Sequence, residues 1–158
     1  MHPRAAEFAD RARDHHGVNV DVREFTGGTK TAADAAAAIG CEVAQIASSL
    51  VFVVDGDLVI VVTSGANRVS ETRLADHYEV DESAVGMADP DRIADVVGWS
   101  IGGVPPFCHD ATLPVVLDET LLAHETVWAA AGTPEAVFPI APADLRRLAN
   151  ADVVAVAE

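Results

Sequence analysis

The chain is poor in positive charge. Ten basic residues stand against 25 acidic ones in 158 residues, the net charge is −15, and Lys30 is the only lysine. Affinity for nucleic acids rests largely on lysine and arginine side chains that neutralise phosphates, and no basic run exists here. Composition therefore argues against a DNA-binding protein. Such acidity is typical of proteins adapted to high salt, where carboxylates are screened from one another, and equally of proteins from GC-rich genomes.

Cysteine and long apolar runs are also scarce. Cys41 and Cys108 are too few for a disulfide framework and lack Cys-x-x-Cys spacing, which fits a reducing compartment. The longest apolar stretches, 50–54 and 58–62, have the length of strands and are far shorter than a membrane span. The first residues contain no apolar segment of a signal peptide. We therefore expect a cytoplasmic protein without membrane contact.

Common catalytic motifs are missing as well: there is no G-x-S-x-G, H-E-x-x-H or P-loop. Cys108, His109 and Asp110 suggest a nucleophile, a base and an orienting acid, but adjacent side chains of an extended segment point to opposite faces and cannot form a triad. We interpret Cys108 as a small buried filler and His109 as a residue that fixes its loop by a hydrogen bond. The other histidines lack metal-ligand spacing, so no metal or cofactor is expected.

Turn and capping residues divide the chain into short elements. Asp55-Gly56 between two β-branched runs predicts a two-residue hairpin, and the apolar run 58–62 predicts a strand covered on both faces. Glycines 17, 40 and 98 end three predicted helices, and Asp89-Pro90 begins the third of these. Predicted helices cover 3–16, 31–39, 71–78, 90–97 and 142–148, and predicted strands cover 18–25, 49–54, 57–63, 113–117, 126–130, 136–140 and 153–156.

Strands and helices mix here without regular βαβ alternation. This order predicts an α/β (α+β) fold in which a mixed, largely antiparallel, barrel-like sheet is surrounded by helices. No linker, repeat or low-complexity segment interrupts the pattern. We therefore expect one domain over residues 1–158.

The segment 98–109 carries the most informative residues. Gly102 to Pro106, followed by Phe107, is similar to the G-x-x-x-P loop of the YbaK-like family, the free-standing relatives of the editing domain of prolyl-tRNA synthetases. Residues 45–52 resemble the family stretch of glutamine, isoleucine or valine, any residue, lysine, and serine or threonine before an apolar strand. Four more segments occur in family order, at 29–32, 64–69, 87–90 and 128–132. The resemblance covers essentially the whole chain.

Membership of this family implies a function and a mechanism. The resemblance implies a deacylase that hydrolyses mischarged aminoacyl-tRNA, typically alanine or cysteine on tRNA for proline. It implies two partners, the aminoacyl-tRNA 3′ end and a prolyl-tRNA synthetase. Catalysis in the family relies on the terminal ribose hydroxyl of the substrate and a positioned water. Hydrolytic editing is needed because binding distinguishes side chains that differ by one methylene only about 10- to 200-fold.

The resemblance also implies a set of site residues. Glycines at 102 and 103 allow a backbone to approach the substrate and to direct N–H groups at a developing oxyanion, although a Gly–Pro segment by itself favours an ordinary turn. The predicted catalytic residues are Gly102, Gly103, Pro106 and Ser48. The predicted substrate-binding residues are Thr29, Lys30, Ser64, Arg68, Val104, Pro105 and His109.

Two positions depart from the family pattern. Ser48 stands where the family has its lysine, and a serine hydroxyl supplies no fixed charge. Cys108 replaces a glycine. Lys30 is the open candidate for a compensating cation, whereas Arg68 is more typical of a solvated surface charge. Two alternatives to the deacylase follow: a non-catalytic module that binds an aminoacyl-tRNA end, a nucleotide or an amino acid, and a hydrolase of small acyl esters.

Overall fold

The computed structural model describes residues 1–25 and 31–158. The five α-helices are α1 (Pro3–His16), α2 (Ala32–Ile39), α3 (Glu71–Tyr78), α4 (Pro90–Val97) and α5 (Pro142–Ala149). The eight strands are β1 (Arg23–Glu24), β2 (Ile46–Val54), β3 (Asp57–Ser64), β4 (Val85–Met87), β5 (Val115–Asp118), β6 (Val127–Ala130), β7 (Ala136–Ile140) and β8 (Asp152–Val154). Short 3₁₀ helices cover Val43–Gln45, Glu82–Ala84 and Glu119–Ala123.

All eight strands form one sheet in the order β1-β7-β6-β2-β3-β5-β8, and β4 pairs with β2 beside this path. Four of the seven pairings are antiparallel, and β2–β6, β3–β5 and β5–β8 are parallel. The predicted fold class, a mixed and mostly antiparallel sheet with helices around it, is confirmed.

Strand β3 lies in the middle of the molecule, between two apolar clusters. Leu58, Ile60 and Val62 pack into the main core with α1 and α4, and Val59 and Val61 pack into a second core with α3. An uninterrupted apolar run over residues 58–62 fits this place because successive side chains point to opposite faces. The prediction that both faces of this strand are covered is confirmed.

Local turn chemistry sets the element ends where the sequence predicts them. Asp55 and Gly56 both have positive φ, 50° and 86°, which is the two-residue hairpin turn expected between β2 and β3. Thr31 begins α2 by accepting a hydrogen bond from the Asp34 N–H at 3.1 Å. Gly17 ends α1 in the left-handed conformation. No helix in the described parts of the chain has the length and apolar character needed to cross a membrane.

Four predicted strands are shorter than expected, and the first and the last of them show why. The strand predicted at 18–25 is regular only over Arg23–Glu24, because β7 offers it partners only at residues 136 and 137. The valines at 18, 20 and 22 nevertheless pack against the main core, as their alternation predicts. The last strand ends at Val154 and not at Val156, because the Val156 N–H donates to the Val154 carbonyl in a tight turn.

Strand β2 has an interrupted edge. On one side it pairs with β3 along its whole length. On the other side it pairs with β6 only at residues 46 and 47 and with β4 only at residues 52–54. In the part of the chain that the structure describes, residues 48–51 therefore have no neighbouring strand on that side, and the sheet has a gap there.

Candidate active site at the gap in the sheet

A cavity of about 520 Å³ occupies the gap beside β2. Its walls come from residues 46–51 of β2, from α2, β6 and β7, from α4, and from the loop that contains Gly102. The lining is mainly apolar, and among the described residues Glu135 is the only charged side chain in it. The volume lies in the usual range of small-molecule sites, about 300–1,000 Å³.

The main chain of Ser49 faces this gap. In an antiparallel ladder, alternate residues direct their N–H and C=O groups to opposite sides. Val54 and Asp57 close the hairpin, so the even-numbered residues of β2 bond to β3 and the odd-numbered ones point away from it. The Val51 carbonyl accordingly accepts from the Ala88 N–H at 3.0 Å, on the β4 side. Ser49 lies between the two partner strands, so its backbone groups have no partner within residues 1–25 and 31–158.

Ser48, predicted as a catalytic residue, lies in the cavity wall. Its side chain shares a sheet face with Ile46, which stands opposite Trp128 of β6 in the register. Extension of that register by two residues aligns Ser48 with Ala130, which pairs with Val137 of β7. These residues all line the cavity. The Ser48 hydroxyl has no hydrogen-bond partner among the described residues.

The glycine loop forms the opposite wall. The Gly103 N–H donates to the Ser100 carbonyl at 3.0 Å and closes a turn in which Gly102 has a φ of 87°, so position 102 favours glycine. A Cβ on Gly103 would stand 2.7 Å from the Thr133 Cα, so this residue packs the loop against the neighbouring backbone. Gly102 and Val104 line the cavity and Gly103 does not. Of the two glycine amides, only that of Gly102 lacks an acceptor in the described chain.

The second half of the loop turns away from this cavity. Pro106 and His109 line a separate cavity of about 330 Å³ beside α1, and Pro105 lines neither. The His109 Nε2 lies 2.7 Å from the Pro105 carbonyl oxygen, as a loop-fixing hydrogen bond requires. Burial lowers the pKa of His109, which keeps its ring neutral near pH 7. Asp110 pairs with Arg11 at 3.0 Å and not with His109, so no triad forms.

Cys108 has a φ of 68°, in the left-handed region that favours glycine. This conformation gives a physical reason for the glycine that the family pattern has here. Burial raises the pKa of the Cys108 thiol to about 11, so the thiol is protonated at neutral pH and is a poor nucleophile. Its carbonyl accepts from the Trp99 indole N–H at 2.9 Å. These contacts agree with a packing role.

The remaining predicted residues lie elsewhere. Ser64 is buried and does not line the cavity; its hydroxyl donates to the Ala44 carbonyl at 2.8 Å. Arg68 is 89% exposed and stands 3.5 Å from a Glu158 carboxylate oxygen, as a solvated surface charge does. The predictions for Thr29 and Lys30 fall outside the described residues, although Thr31, next along the chain, lines the cavity.

Several lining residues were not singled out from the sequence. Trp128 forms part of the wall, and Met87 and Ile101 give the cavity an apolar rim at 55% and 54% exposure. The Arg23 guanidinium carbon lies 4.9 Å from the centre of the Trp128 ring. An exposed methionine and isoleucine are the one signal of such a rim, and they become visible only when burial is known.

This arrangement of sheet, gap and glycine loop is that of an editing domain. A family model described as the aminoacyl-tRNA editing domain matches residues 26–148. The chain therefore belongs to the aminoacyl-tRNA editing domain family, the YbaK-like family that the sequence predicts.

Individual relatives support the same assignment. The chain is 35% identical to a solved candidate trans-editing enzyme for prolyl tRNA synthetase, with a TM-score of 0.93 over 100% of this chain and 99% of the other. It is 32% identical to the uncharacterized protein YwhH of Bacillus subtilis (strain 168), over 79% of this chain and 78% of that protein. It is 28% identical to the proline--tRNA ligase of Lysinibacillus sphaericus (strain C3-41), over 58% of this chain but only 16% of the ligase.

Proposed function

We propose that this protein hydrolyses mischarged aminoacyl-tRNA in trans, with the cavity beside β2 as the site of the ester. The observation that carries the proposal is that Ser48, Ser49 and Gly102 meet at one apolar cavity, where the Ser49 backbone and the Gly102 amide have no partner among the described residues. Family membership supports aminoacyl-tRNA as the substrate. Small amino acids such as alanine or cysteine on tRNA for proline are the substrates proposed, and a prolyl-tRNA synthetase is the proposed partner.

The proposed chemistry needs no nucleophile from the protein. A water adds to the ester carbonyl and gives a proton to the neighbouring terminal ribose hydroxyl, which passes one on to the ester oxygen of the ribose. The bond from the carbonyl carbon to that oxygen then breaks. The free amino acid and the tRNA with a free hydroxyl result. The Gly102 N–H and the Ser48 hydroxyl are donors suited to the charge that develops on the carbonyl oxygen.

The apolar rim of the cavity suits the terminal nucleotide of a tRNA. Met87 and Ile101 present exposed apolar surface beside the cavity, against which a terminal base can stack. We also propose that the chain acts as one domain over residues 1–158, in the cytoplasm and without metal or cofactor. Pro105, Pro106, Gly103 and His109 then act by holding the loop, since their contacts lie within the protein.

A binding module without catalysis is the second candidate. The observation in its favour is that the described cavity wall carries no cation, because Ser48 replaces the family lysine. In that case the cavity holds the aminoacyl-tRNA end, a nucleotide or an amino acid without turnover. Hydrolysis of a small acyl ester, unaffected by tRNA, would point instead to the third possibility, a small-ester hydrolase.

Deacylation of alanyl- and cysteinyl-tRNA for proline, at low and at molar potassium chloride, tests the proposal. We expect hydrolysis well above the spontaneous rate, and a large loss in Gly102→Ala, which strains the loop at the free amide. Gly56→Ala is the matched control, because its φ of 86° imposes the same strain in a hairpin turn that does not line the cavity. No hydrolysis by the natural protein, with activity gained in Ser48→Lys, would favour the binding module.

A further inference from the structure

Arg23 places a positive charge beside the cavity that no wall residue of the described chain supplies. It stands on β1 opposite Val137 of β7, which in turn pairs with Ala130 of β6. Because Ser48 is in line with Ala130 across the gap, the row Ser48, Ala130, Val137, Arg23 crosses four strands on one face of the sheet. The first three residues of this row line the cavity.

The arginine side chain extends along this row toward Ser48. Its guanidinium carbon lies 4.9 Å from the centre of the Trp128 ring, so the side chain contacts a residue of β6, two strands away in the sheet order. Trp128 is a wall residue and the register neighbour of Ile46 on β2. Strand β6 is the neighbour of β2 in the sheet, so Arg23 contacts a ring of the strand that borders the gap. A lysine at position 48 would direct its ammonium group over this same region.

Stacking leaves the guanidinium able to bind an anion. A guanidinium that contacts the face of an indole still has N–H donors that match a phosphate in a two-point contact. The present ionic partner, Asp21 at 3.3 Å, is 67% exposed. An exposed pair of this kind is weak and exchanges readily for a stronger anion.

We propose that Arg23 binds a phosphate of the tRNA acceptor end and supplies the charge that Ser48 does not. This inference rests on the proposed function for the identity of the ligand. It assigns Arg23 and Trp128 to one substrate-binding unit, in which the indole holds the guanidinium in place. It also explains how an acidic chain with one lysine keeps a local point of attraction for its substrate.

The experiment measures binding and turnover separately. Binding uses an uncharged RNA hairpin with a CCA end and a fluorescent label, followed by anisotropy at several potassium chloride concentrations. We expect Arg23→Ala to weaken binding about tenfold at low salt, which is the value of one charge-assisted contact. We also expect the slope of log affinity against log salt to fall by about 0.7, the share of one phosphate on a single strand. Arg146→Ala, which removes an exposed charge from α5, should change neither quantity.

Turnover then separates phosphate from acyl recognition. Arg23→Ala should lose activity on aminoacyl-tRNA but not on aminoacyl-adenosine, which has no phosphate. Addition of Ser48→Lys to Arg23→Ala should restore binding, and Arg23→Lys should be intermediate because it keeps the charge without the planar contact. No binding by the natural protein, or an affinity and salt slope in Arg23→Ala equal to those of Arg146→Ala, would overturn the inference. Arg23-dependent binding without any hydrolysis would support it and overturn the proposed deacylase.

Discussion

Ser48 and Thr63 stand opposite one another on neighbouring strands, but they belong to two very different polar regions. On β3, the Thr63 hydroxyl donates to the Asp118 carboxylate at 3.0 Å and the Ser64 hydroxyl donates to the Ala44 carbonyl at 2.8 Å. On β2, the Ser48 hydroxyl has no partner among the described residues, and the Ser49 hydroxyl is buried without one. These three serines and one threonine thus differ by their surroundings and not by their type.

The difference in hydrogen bonding between β2 and β3 distinguishes polar groups with a structural role from polar groups that are candidates for ligand binding. Buried polar groups in folded proteins are nearly always hydrogen-bonded. A buried polar group with all its partners inside the protein therefore has a structural role and needs no ligand. Asp118 is fully buried and accepts from Thr63, Ser64, Asn67 and Thr120, which ties the end of β3 to the end of β5. The buried Ser49 hydroxyl has no such partner among the described residues. A ligand in the cavity would satisfy it.

Among the predictions, removal of the Asp118 carboxylate, the centre of the hydrogen-bonded region between β3 and β5, should change the free energy of unfolding most. Asp118→Ala leaves several buried donors without an acceptor, and we expect it to lower the free energy of unfolding by about 3 to 5 kcal/mol. Urea denaturation measures this. Asp118→Asn, which has the same shape and one acceptor fewer, should lose less. A loss under about 1 kcal/mol in Asp118→Ala would show that the region is not a structural centre.

The same carboxylate should make stability depend on pH in acid. Burial alone would raise the pKa of Asp118, but hydrogen bonds from Asn67, Thr120 and Ser64 outweigh burial and lower it. Its stabilisation is therefore present above the ordinary pKa of aspartate, about 3.9, and is lost as the pH falls through the lowered value. The difference in unfolding free energy between the natural protein and Asp118→Asn should be constant near neutrality and narrow below about pH 4. A difference that widens in acid would contradict this sign.

Much of the fold could be predicted because it depends on near neighbours in the chain. Asp55-Gly56, Pro90 and the helix-ending glycines act through their own backbone angles, so the hairpin and most element ends follow from a few adjacent residues. Strand pairing is different. That β2 meets β6 for two residues and then leaves a gap depends on segments some 80 positions apart.

The candidate site was harder to predict for that reason. Ser48 and Ser64 both follow from family resemblance, and only the hydrogen bond to Ala44 shows that Ser64 is occupied inside the fold. Gly102 and Gly103 differ in the same way, because the turn uses one amide and leaves the other. Arg23 carries no sequence signal at all: its relation to Ser48 exists only through the register of four strands.

Ser64→Ala tests the hydrogen-bonded region on β3, and we expect a smaller loss of stability than for Asp118→Ala. The hydroxyl donates to the Ala44 carbonyl and accepts from the Ala66 N–H at 3.3 Å, so its removal leaves two backbone groups without a partner. We expect a loss of about 1 to 2 kcal/mol in the free energy of unfolding, measured by urea denaturation. Deacylation per folded molecule should be unchanged. Normal stability combined with lost activity would instead make Ser64 a site residue.

Ser49→Ala tests the unpaired region on β2. Its expected effect on the free energy of unfolding is the smallest of these predictions, and it is a gain and not a loss. By the alternation of β2, the Ser49 side chain lies on the face of Ala47 and Val51, which pack into the main core. A buried hydroxyl without a partner costs about 1 to 3 kcal/mol by comparison with a satisfied one, so the alanine should be as stable as the natural protein or up to about 1 kcal/mol more stable.

The binding measurement then decides what the unpaired hydroxyl of Ser49 does. If the hydroxyl has no role in ligand binding, Ser49→Ala should bind the CCA-ended RNA as the natural protein does and should be more stable. If a bound ligand satisfies it, the same variant should gain stability and lose affinity, a pairing that a purely structural residue does not produce. Ser49→Ala that loses stability would mean that the hydroxyl already has a partner in the folded protein, and the contrast between β2 and β3 would then reduce to Ser48 alone.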